Sequence, residues 1–461
     1  MAHDILIKTS VDEPYQISDK EEKSIKVCLE IEPSEDVRGV FEEVDAKNVS
    51  KEVCILMSYN TFIQQENSTE KTVNELLIQM ESIKRIINLA SENEKLTLVI
   101  NGSTPRTIFK SVSGSEKEYM LDQLKNLPNQ ANGKIITSFK EVKGILEASE
   151  SRIKKVVFLA GTIEGEEDID ALLFEVSKLV TIGVSVDCFG VGNNIKFSLL
   201  EKISSVGNGR TNIIKDKDRA NTLLKGIWDS FEDVIVTEAK IKLGKISKSV
   251  RITECYKGTP EKRYLGKAII NEDREMIINL GQVEKEQRYT YYFLVNIPPS
   301  DYIGPMLLMT VDVEYSIPRL YGEKKFNVSN RVIIEFGNDE EKVKVNGKVN
   351  SGFYQAEIKR YEDEIEEAQN KKDFYTVVDR FIKIIDKCTK LGNVELVRQY
   401  TKLLDNYHRC GDVDINKLSK ARNATSKAGD EGLMKTALSE EEISNIFTQK
   451  RKQGIRRRRR W

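Results

Sequence analysis

The hydrophobic and polar positions change their period along the chain, and each period predicts a different kind of element. In residues 1–46 the signal is period two. Ile5-Leu6-Ile7 reads as one short strand, and Ser24-Ile25-Lys26-Val27-Cys28-Leu29-Glu30-Ile31-Glu32 alternates as a strand with one wet face does. The stretch reads as extended, and neither strand has a partner beside it, so both are expected to join a sheet formed elsewhere. From about residue 51 to 232, strands alternate with helices. Val53-Cys54-Ile55-Leu56 is an apolar run that fits a strand covered on both faces, and it breaks into polar Ser58-Tyr59-Asn60-Thr61 before Phe62. Residues 72–90 carry Val73, Leu76, Leu77, Met80, Ile83, Ile86 and Ile87 at helical spacing. Further strands are expected at 96–100, 107–109, 155–160, 184–189 and 211–214, and further helices at 117–127, 139–148, 169–180, 197–203 and 218–230. Such alternation argues for a mostly parallel sheet with helices on both faces.

Beyond Val234 period two returns, at 236–243, 250–256, 276–280, 289–295, 307–315 and 332–336, with turns rich in Gly, Pro, Asn and Asp between. Spaced antiparallel strands of this kind predict a β-sandwich. Counting strands, those of residues 1–46 complete it, with the α/β unit inserted between. Helical spacing follows at 354–370, 373–391 and 394–410, broken at Gly392-Asn393, and predicts a small helical bundle. Residues 413–437 are weakly patterned and read as a flexible linker. Ser439 with Glu442 reads as a capping box that starts a short helix. The expected division is 1–46, 47–232, 233–345, 350–412, 413–437 and 438–461, in a multidomain chain of α/β plus all-β class.

Composition narrows the function classes. With 39% hydrophobic and 31% charged residues, the chain has material for several cores under a charged exterior. It has no apolar run long enough to span a membrane and no signal-peptide pattern at its start, so a cytoplasmic protein is expected. Its six cysteines are scattered without a Cys-x-x-Cys pair and read as small buried thiols. With His3 and His408 as the only histidines, a zinc site or a His-dependent triad is not expected. No P-loop, Gly-x-Gly-x-x-Gly after the first strand, or Gly-x-Ser-x-Gly elbow occurs. The chain therefore reads as non-enzymatic. The net charge of −1 hides an asymmetry. Lys450, Arg451, Lys452, Arg456, Arg457, Arg458, Arg459 and Arg460 bring eight positive charges without an acid among them, so the rest carries −9.

Two stretches together carry a family resemblance. Gly183-Val184-Ser185-Val186-Asp187-Cys188-Phe189-Gly190-Val191-Gly192 resembles the strand "G-I-x-V-x-x-I-G-V-G" of von Willebrand factor A domains. Leu199-Leu200-x-x-Ile203 and Gly207-Asn208-Gly209-Arg210 resemble the "L-L-x-x-I-A-x-x-G-x-G" that follows it. The resemblance covers residues 51–231. It implies a doubly wound, Rossmann-like fold and, in bacterial proteins of this type, a β-sandwich directly behind it. It also implies a metal-ion-dependent adhesion site: Asp-x-Ser-x-Ser in the first loop, Thr in the second, Asp in the third.

Matched residue by residue, this sequence departs from that site. The first Asp position falls on Met57, the two Ser positions on Tyr59 and Thr61, and the Met that often follows on Phe62. Shifting by one places Ser58 at the Asp position. Thr137 or Ser138 stands for the Thr of the second loop. Gly161, before Thr162, takes the third-loop Asp position. A hard divalent cation needs oxygen ligands with carboxylate charge, and both carboxylates are gone. The expectation is a degenerate site with no metal and no cofactor. Glu164, Glu166, Glu167 and Asp168 are expected to serve a helix N-terminus instead.

Two readings of the first loop stay open: a capped polar turn without ligand, or a metal-free protein-docking face made of Ser58, Tyr59, Asn60, Thr61, Phe62, Thr137, Ser138 and Thr162. The tail residues Arg456, Arg457, Arg458, Arg459, Arg460 and Trp461 read as a docking element for an acidic protein, as a solvated tail, or as a contact for nucleic acid or an anionic membrane surface. The combined expectation is a protein-interaction adaptor or scaffold. Its implied partner is an ATPase, kinase or protease of the same system. The alternatives are nucleic-acid or anionic-surface binding through the tail, and a metal-dependent adhesion module with a non-standard site.

Overall fold

The computed structural model of the chain describes residues 4–19, 21–44, 49–59, 70–127, 133–161, 168–192, 195–322, 324–413 and 418. The N-terminal alternation forms β1 (Ile5–Val11), β2 (Tyr15–Ile17) and β3 (Lys23–Pro33). A helix, α1 (Glu35–Glu43), follows in a stretch that sequence reads as extended, capped by Ser34, whose hydroxyl accepts from Val37 N. Contrary to expectation, β1 and β3 are partners of each other, antiparallel from Ile5↔Pro33 to Val11↔Val27. The turn that joins them has no strong hairpin signal, because β2 intervenes and leaves for a different sheet.

The inserted unit contains β4 (Lys51–Ser58), α2 (Glu70–Leu89), β5 (Glu94–Ile100), β6 (Arg106–Ser113), α3 (Lys117–Gln123), α4 (Ile135–Glu147), β7 (Ile153–Ala160), α5 (Ile169–Thr181), β8 (Val184–Val191), α6 (Phe197–Val206), β9 (Asn208–Ile214) and α7 (Lys217–Glu232). Its sheet has the order β6-β5-β4-β7-β8-β9, parallel except for the edge strand β6. Every residue of β4 is buried, as its continuous apolar run requires. Val53, Ile55 and Met57 face a core shared with α2, α3 and α7, while Cys54 and Leu56 face one shared with α4, α5 and α6. Period two within the strand and helices on both sides thus explain each other.

The remaining strands are β10 (Val234–Gly244), β11 (Arg251–Thr259), β12 (Arg263–Gly266), β13 (Met276–Glu284), β14 (Tyr289–Ile297), β15 (Gly304–Ser316) and, after the short helix α8 (Pro318–Tyr321), β16 (Lys325–Gly337). They form two five-stranded sheets, β1-β3-β14-β11-β12 and β13-β10-β15-β16-β2, which share one apolar core. Gln282 of β13 fixes the inserted unit to them. Its Nε2 donates to Lys154 O (2.8 Å) and Gly183 O (3.0 Å), and its Oε1 accepts from Ser185 Oγ (3.2 Å).

Three helices complete the described chain: α9 (Gly347–Asn370), α10 (Phe374–Lys390) and α11 (Val394–Cys410). The first half of α9 packs Val349, Phe353 and Ala356 on Tyr256 and Tyr292 of the adjoining sheet. Gly352 lies so close to the Tyr292 hydroxyl that a side chain there would collide with it. The second half of α9 builds a separate core with α10 and α11, and Val413 and Leu418 are buried in that same core. The helical packing therefore continues past residue 412 into the stretch that sequence reads as linker. Five cysteines are buried as expected, and Cys410 is exposed.

Candidate functional site

In an open α/β sheet the crevice forms where neighbouring strands send the chain to opposite faces, outside the strand carboxyl ends. Here that point lies between β4, which leads to α2 on one face, and β7, which leads to α5 on the other. Ser58 closes β4. Its carbonyl accepts from Gly161 N (3.1 Å) and from Gln79 Nε2 (2.9 Å). The same Gln79 nitrogen donates to Leu159 O of β7 (3.3 Å), so an amide from α2 ties the two strand ends together.

Asn101, just past β5, supplies the second tie. Its backbone N donates to Met57 O (2.8 Å). Its Nδ2 donates to Ser58 Oγ (3.3 Å) and Gly133 O (3.0 Å), and its Oδ1 accepts from Ser138 Oγ (2.7 Å). Ser58, Asn101, Ser138 and Gln79 are all buried. The floor of the crevice is a neutral network of amides and hydroxyls, and each member crosses between elements far apart in sequence.

The positions that the resemblance assigns to carboxylates look different. Met57 is fully buried and packs with Ile100 and Leu159 in the α2-side core. At Gly161, a Cβ would lie 3.0 Å from Ser58 O and 3.2 Å from Gln79 Nε2, so a longer side chain would have to displace the Gln79 amide. Among the described residues, no three His, Cys, Asp or Glu side chains converge on a point that could hold a metal. Among the described residues the floor presents amides and hydroxyls, whereas a hard divalent cation takes oxygen ligands with carboxylate charge.

The structure divides the expected docking residues. Ser58 and Ser138 come together through Asn101. Thr137 does not join them. It is exposed on the first turn of α4 and donates to Lys134 O (2.6 Å), as the helix turn rather than the strand ends dictates. Tyr59, expected at the surface, is only 5% exposed and belongs to the core under α2, so it is not available to a partner. Burial pushes its phenol up to about 12, against the opposing charge of Arg106. Asn60, Thr61, Phe62, Thr162 and the tail residues Arg456 to Trp461 lie outside the described residues. So do Glu164, Glu166 and Glu167, whereas Asp168 caps α5 by accepting from Ala171 N (3.1 Å).

Sequence periodicity misses Gln79 and Asn101. The apolar stripe of α2 suggests Leu77 on the buried face, yet Leu77 is 50% exposed, and polar Gln79 and Ser82 are buried in its stead. The one signal available was a glutamine between Ile78 and Met80 in an otherwise apolar segment. One turn before Gln79 on the same helix, Glu75 reaches the end of β8, where its carboxylate rests against Gly192 and leaves no room for a side chain there. Exposed apolar residues border this end of the sheet on the opening turns of two helices, Ile169 on α5 and Phe197 on α6.

No family model and no curated protein matches the sequence. Solved structures do match. The chain is similar to a von Willebrand factor type A protein from Catenulispora acidiphila, at 15% identity over 91% of this chain and 96% of that one, with a TM-score of 0.69. It is also similar to VWA2, the ArnB paralog from Sulfolobus acidocaldarius, at 12% identity over 92% and 98% of the two chains, with a TM-score of 0.57. The inserted unit has the von Willebrand factor A fold, and the likeness runs across the flanking sheets and helices as well.

Proposed function

We propose that this chain is a non-enzymatic protein-interaction adaptor or scaffold. In this reading a von Willebrand A fold with a degenerate metal site docks a protein directly, and the basic residues 450–461 give a second docking element. The observation that carries the reading is the neutral floor of the crevice, where Met57 and Gly161 stand at the carboxylate positions and Gln79 fills the space between the strand ends. The apolar border of Ile169 and Phe197 supports a protein rather than a small polar ligand as occupant.

The reading takes residues 1–46 and 233–345 as a separate β-sandwich around an A domain at 47–232, with a helical module after them. It places the protein in the cytoplasm of a bacterial-type system, beside an ATPase, kinase or protease. Among the described residues no helix is long and apolar enough to cross a membrane. Two experiments test the reading. Calorimetric titration with Mg²⁺ and Mn²⁺ is expected to show no binding tighter than about 1 mM; tighter binding that Thr61→Ala abolishes restores the metal-dependent alternative. Partner recovery with full-length protein and with a variant lacking residues 450–461 is expected to yield a protein partner. If the tail retains only nucleic acid, with a steep salt dependence, the adaptor reading fails in favour of the nucleic-acid one.

A further inference from the structure

The helical bundle has an apolar seam that its own core does not use. Core positions run from Val377 to Cys388 on α10 and from Leu396 to Tyr407 on α11. One flank of α10 is taken by α9, through ion pairs of Arg380 with Glu364 and of Lys387 with Glu357 (2.7 Å). The other flank meets α11. Phe374, the first residue of α10, stacks on Tyr407 near the end of α11 with ring centroids 5.1 Å apart, and lies against His408 at 5.9 Å. The two helices are therefore antiparallel, and these rings mark the facing flanks. Along α10, Val378 stands one turn beyond Phe374, and Tyr375, Val378, Ile382 and Ile385 repeat at helical spacing. Along α11, Leu404 stands one turn before His408, with Val397 and Val394 further up the same flank. Val378, Ile385, Val397 and Leu404 are half-buried against the core and make a floor. Tyr375, Ile382 and Val394 stand over it, 80%, 55% and 71% exposed. An apolar groove along a helix pair is the form of surface that receives an amphipathic helix.

The chain itself holds such a segment. Leu418, the last described residue, is buried in this same core. Beyond it Ser439 and Glu442 read as a capping box, and Ile443, Ile446 and Phe447 follow at helical spacing. The residues between, 419–442, can span at most about 80 Å, whereas the groove from Tyr375 to Ile385 is about 15 Å long. A segment tethered within reach of its site meets it at an effective concentration on the order of millimolar, so a few apolar contacts suffice. We propose that residues 439–449 dock as a short helix along the α10–α11 groove of their own chain, with Ile443, Ile446 and Phe447 set among Tyr375, Ile382 and Val394. The docked helix leads directly into Lys450 and so brings the basic residues 450–461 to the side of the bundle. The proposal does not depend on what the crevice of the inserted unit binds.

The test uses the full chain with Cys410→Ser, because Cys410 is the exposed thiol among the described residues. With Ile382→Cys and Phe447→Cys, mild oxidation is expected to join the two positions within one chain at least tenfold faster than with Ile382→Cys and Asn445→Cys, since Asn445 lies on the opposite side of a helix from Phe447 and Ile446. Val394→Asp is expected to erase that difference; Val394 is exposed in the first turn of α11, where an acid suits the helix, so the bundle is expected to stay folded. Equal rates for the two cysteine pairs overturn the proposal. So does a cross-link that forms only between chains, because a second copy then fills the groove. A fluorescent peptide of residues 438–449 is expected to bind the full chain at least tenfold more tightly once Ile443→Asp and Phe447→Asp have emptied the groove. Equal binding to both proteins leaves the groove open to a partner's helix and overturns the assignment to this segment, and binding to neither overturns it as well.

Discussion

Replacing Asn101 with alanine tests whether the crevice floor is a structural unit. The substitution removes the bonds to Ser58 Oγ, Gly133 O and Ser138 Oγ, at 3.3, 3.0 and 2.7 Å. Gly133 is partly exposed, so water can take over its carbonyl. Ser58 and Ser138 are sealed, and each buried polar group left alone costs about 1–3 kcal/mol. The expected loss is therefore about 2–4 kcal/mol for Asn101→Ala, and about 1–2 kcal/mol for Ser138→Ala, which strands a single acceptor. Because both remove the same bond, the double variant should fall short of the sum by about 1 kcal/mol. Trp228 is buried against Phe231 in the α2-side core and reports on this unit alone in a Trp461→Phe background. Urea unfolding followed by its fluorescence measures all four proteins. A loss under about 0.5 kcal/mol for Asn101→Ala, or strict additivity in the cycle, refutes the claim that these groups act together.

Three further outcomes follow from the geometry. Lys257 of β11 is buried at the junction, where loss of hydration brings its ammonium down from 10.5 to about 8, with Glu261 and Glu284 opposing. Between those two pH values the unfolded chain holds a proton that the folded chain lacks, so stability should rise with pH from about 8 to 10.5; Lys257→Met should flatten that rise and add about 1–3 kcal/mol at pH 7, read by urea titrations across the range. Gly352→Ala should cost about 1–3 kcal/mol by forcing the Tyr292 ring away from α9, and in a thermal melt Tyr292→Phe should restore only part of it, because the new Cβ would still lie 2.5 Å from the ring atom Cζ. Gln282→Ala should leave the Lys154 and Gly183 carbonyls without donors and speed hydrogen exchange along the adjoining ends of β7 and β8; unchanged exchange there contradicts the role given to Gln282.

What sequence reveals here depends on how local the cause is. The order of elements in the inserted unit is legible because Val53-Cys54-Ile55-Leu56 and Gly183 to Gly192 encode burial and turns within a few residues. The departure at Met57 and Gly161 is legible for the same reason. Helix α1 escapes because its buried face is two residues, Val37 and Phe41, too short a stripe to announce a period. The floor of the crevice escapes because Ser58, Gln79, Asn101 and Ser138 become polar neighbours only after the strands align; each alone reads as an ordinary surface residue. Tyr59 fails for the converse reason. A polar flank suggested exposure, while the cover supplied by α2 decides its burial.

The pairing of β3 with β14 has a consequence for synthesis. Ile31 lies opposite Tyr289, so one edge of β3 waits for a strand made more than 250 residues later. At about 5–20 residues per second the ribosome needs on the order of ten seconds or more to deliver it. During that interval the whole inserted unit, with both of its cores, can emerge and close, whereas β1 and β3 have only each other. An open strand edge held that long invites pairing with a neighbouring nascent chain. Lys26 and Lys23 along β3, with Glu30 and Glu32 beyond them, put charge on that waiting edge. Glu30 and Glu32, which later meet Arg288 in ion pairs, would thus first serve to keep unfinished chains apart.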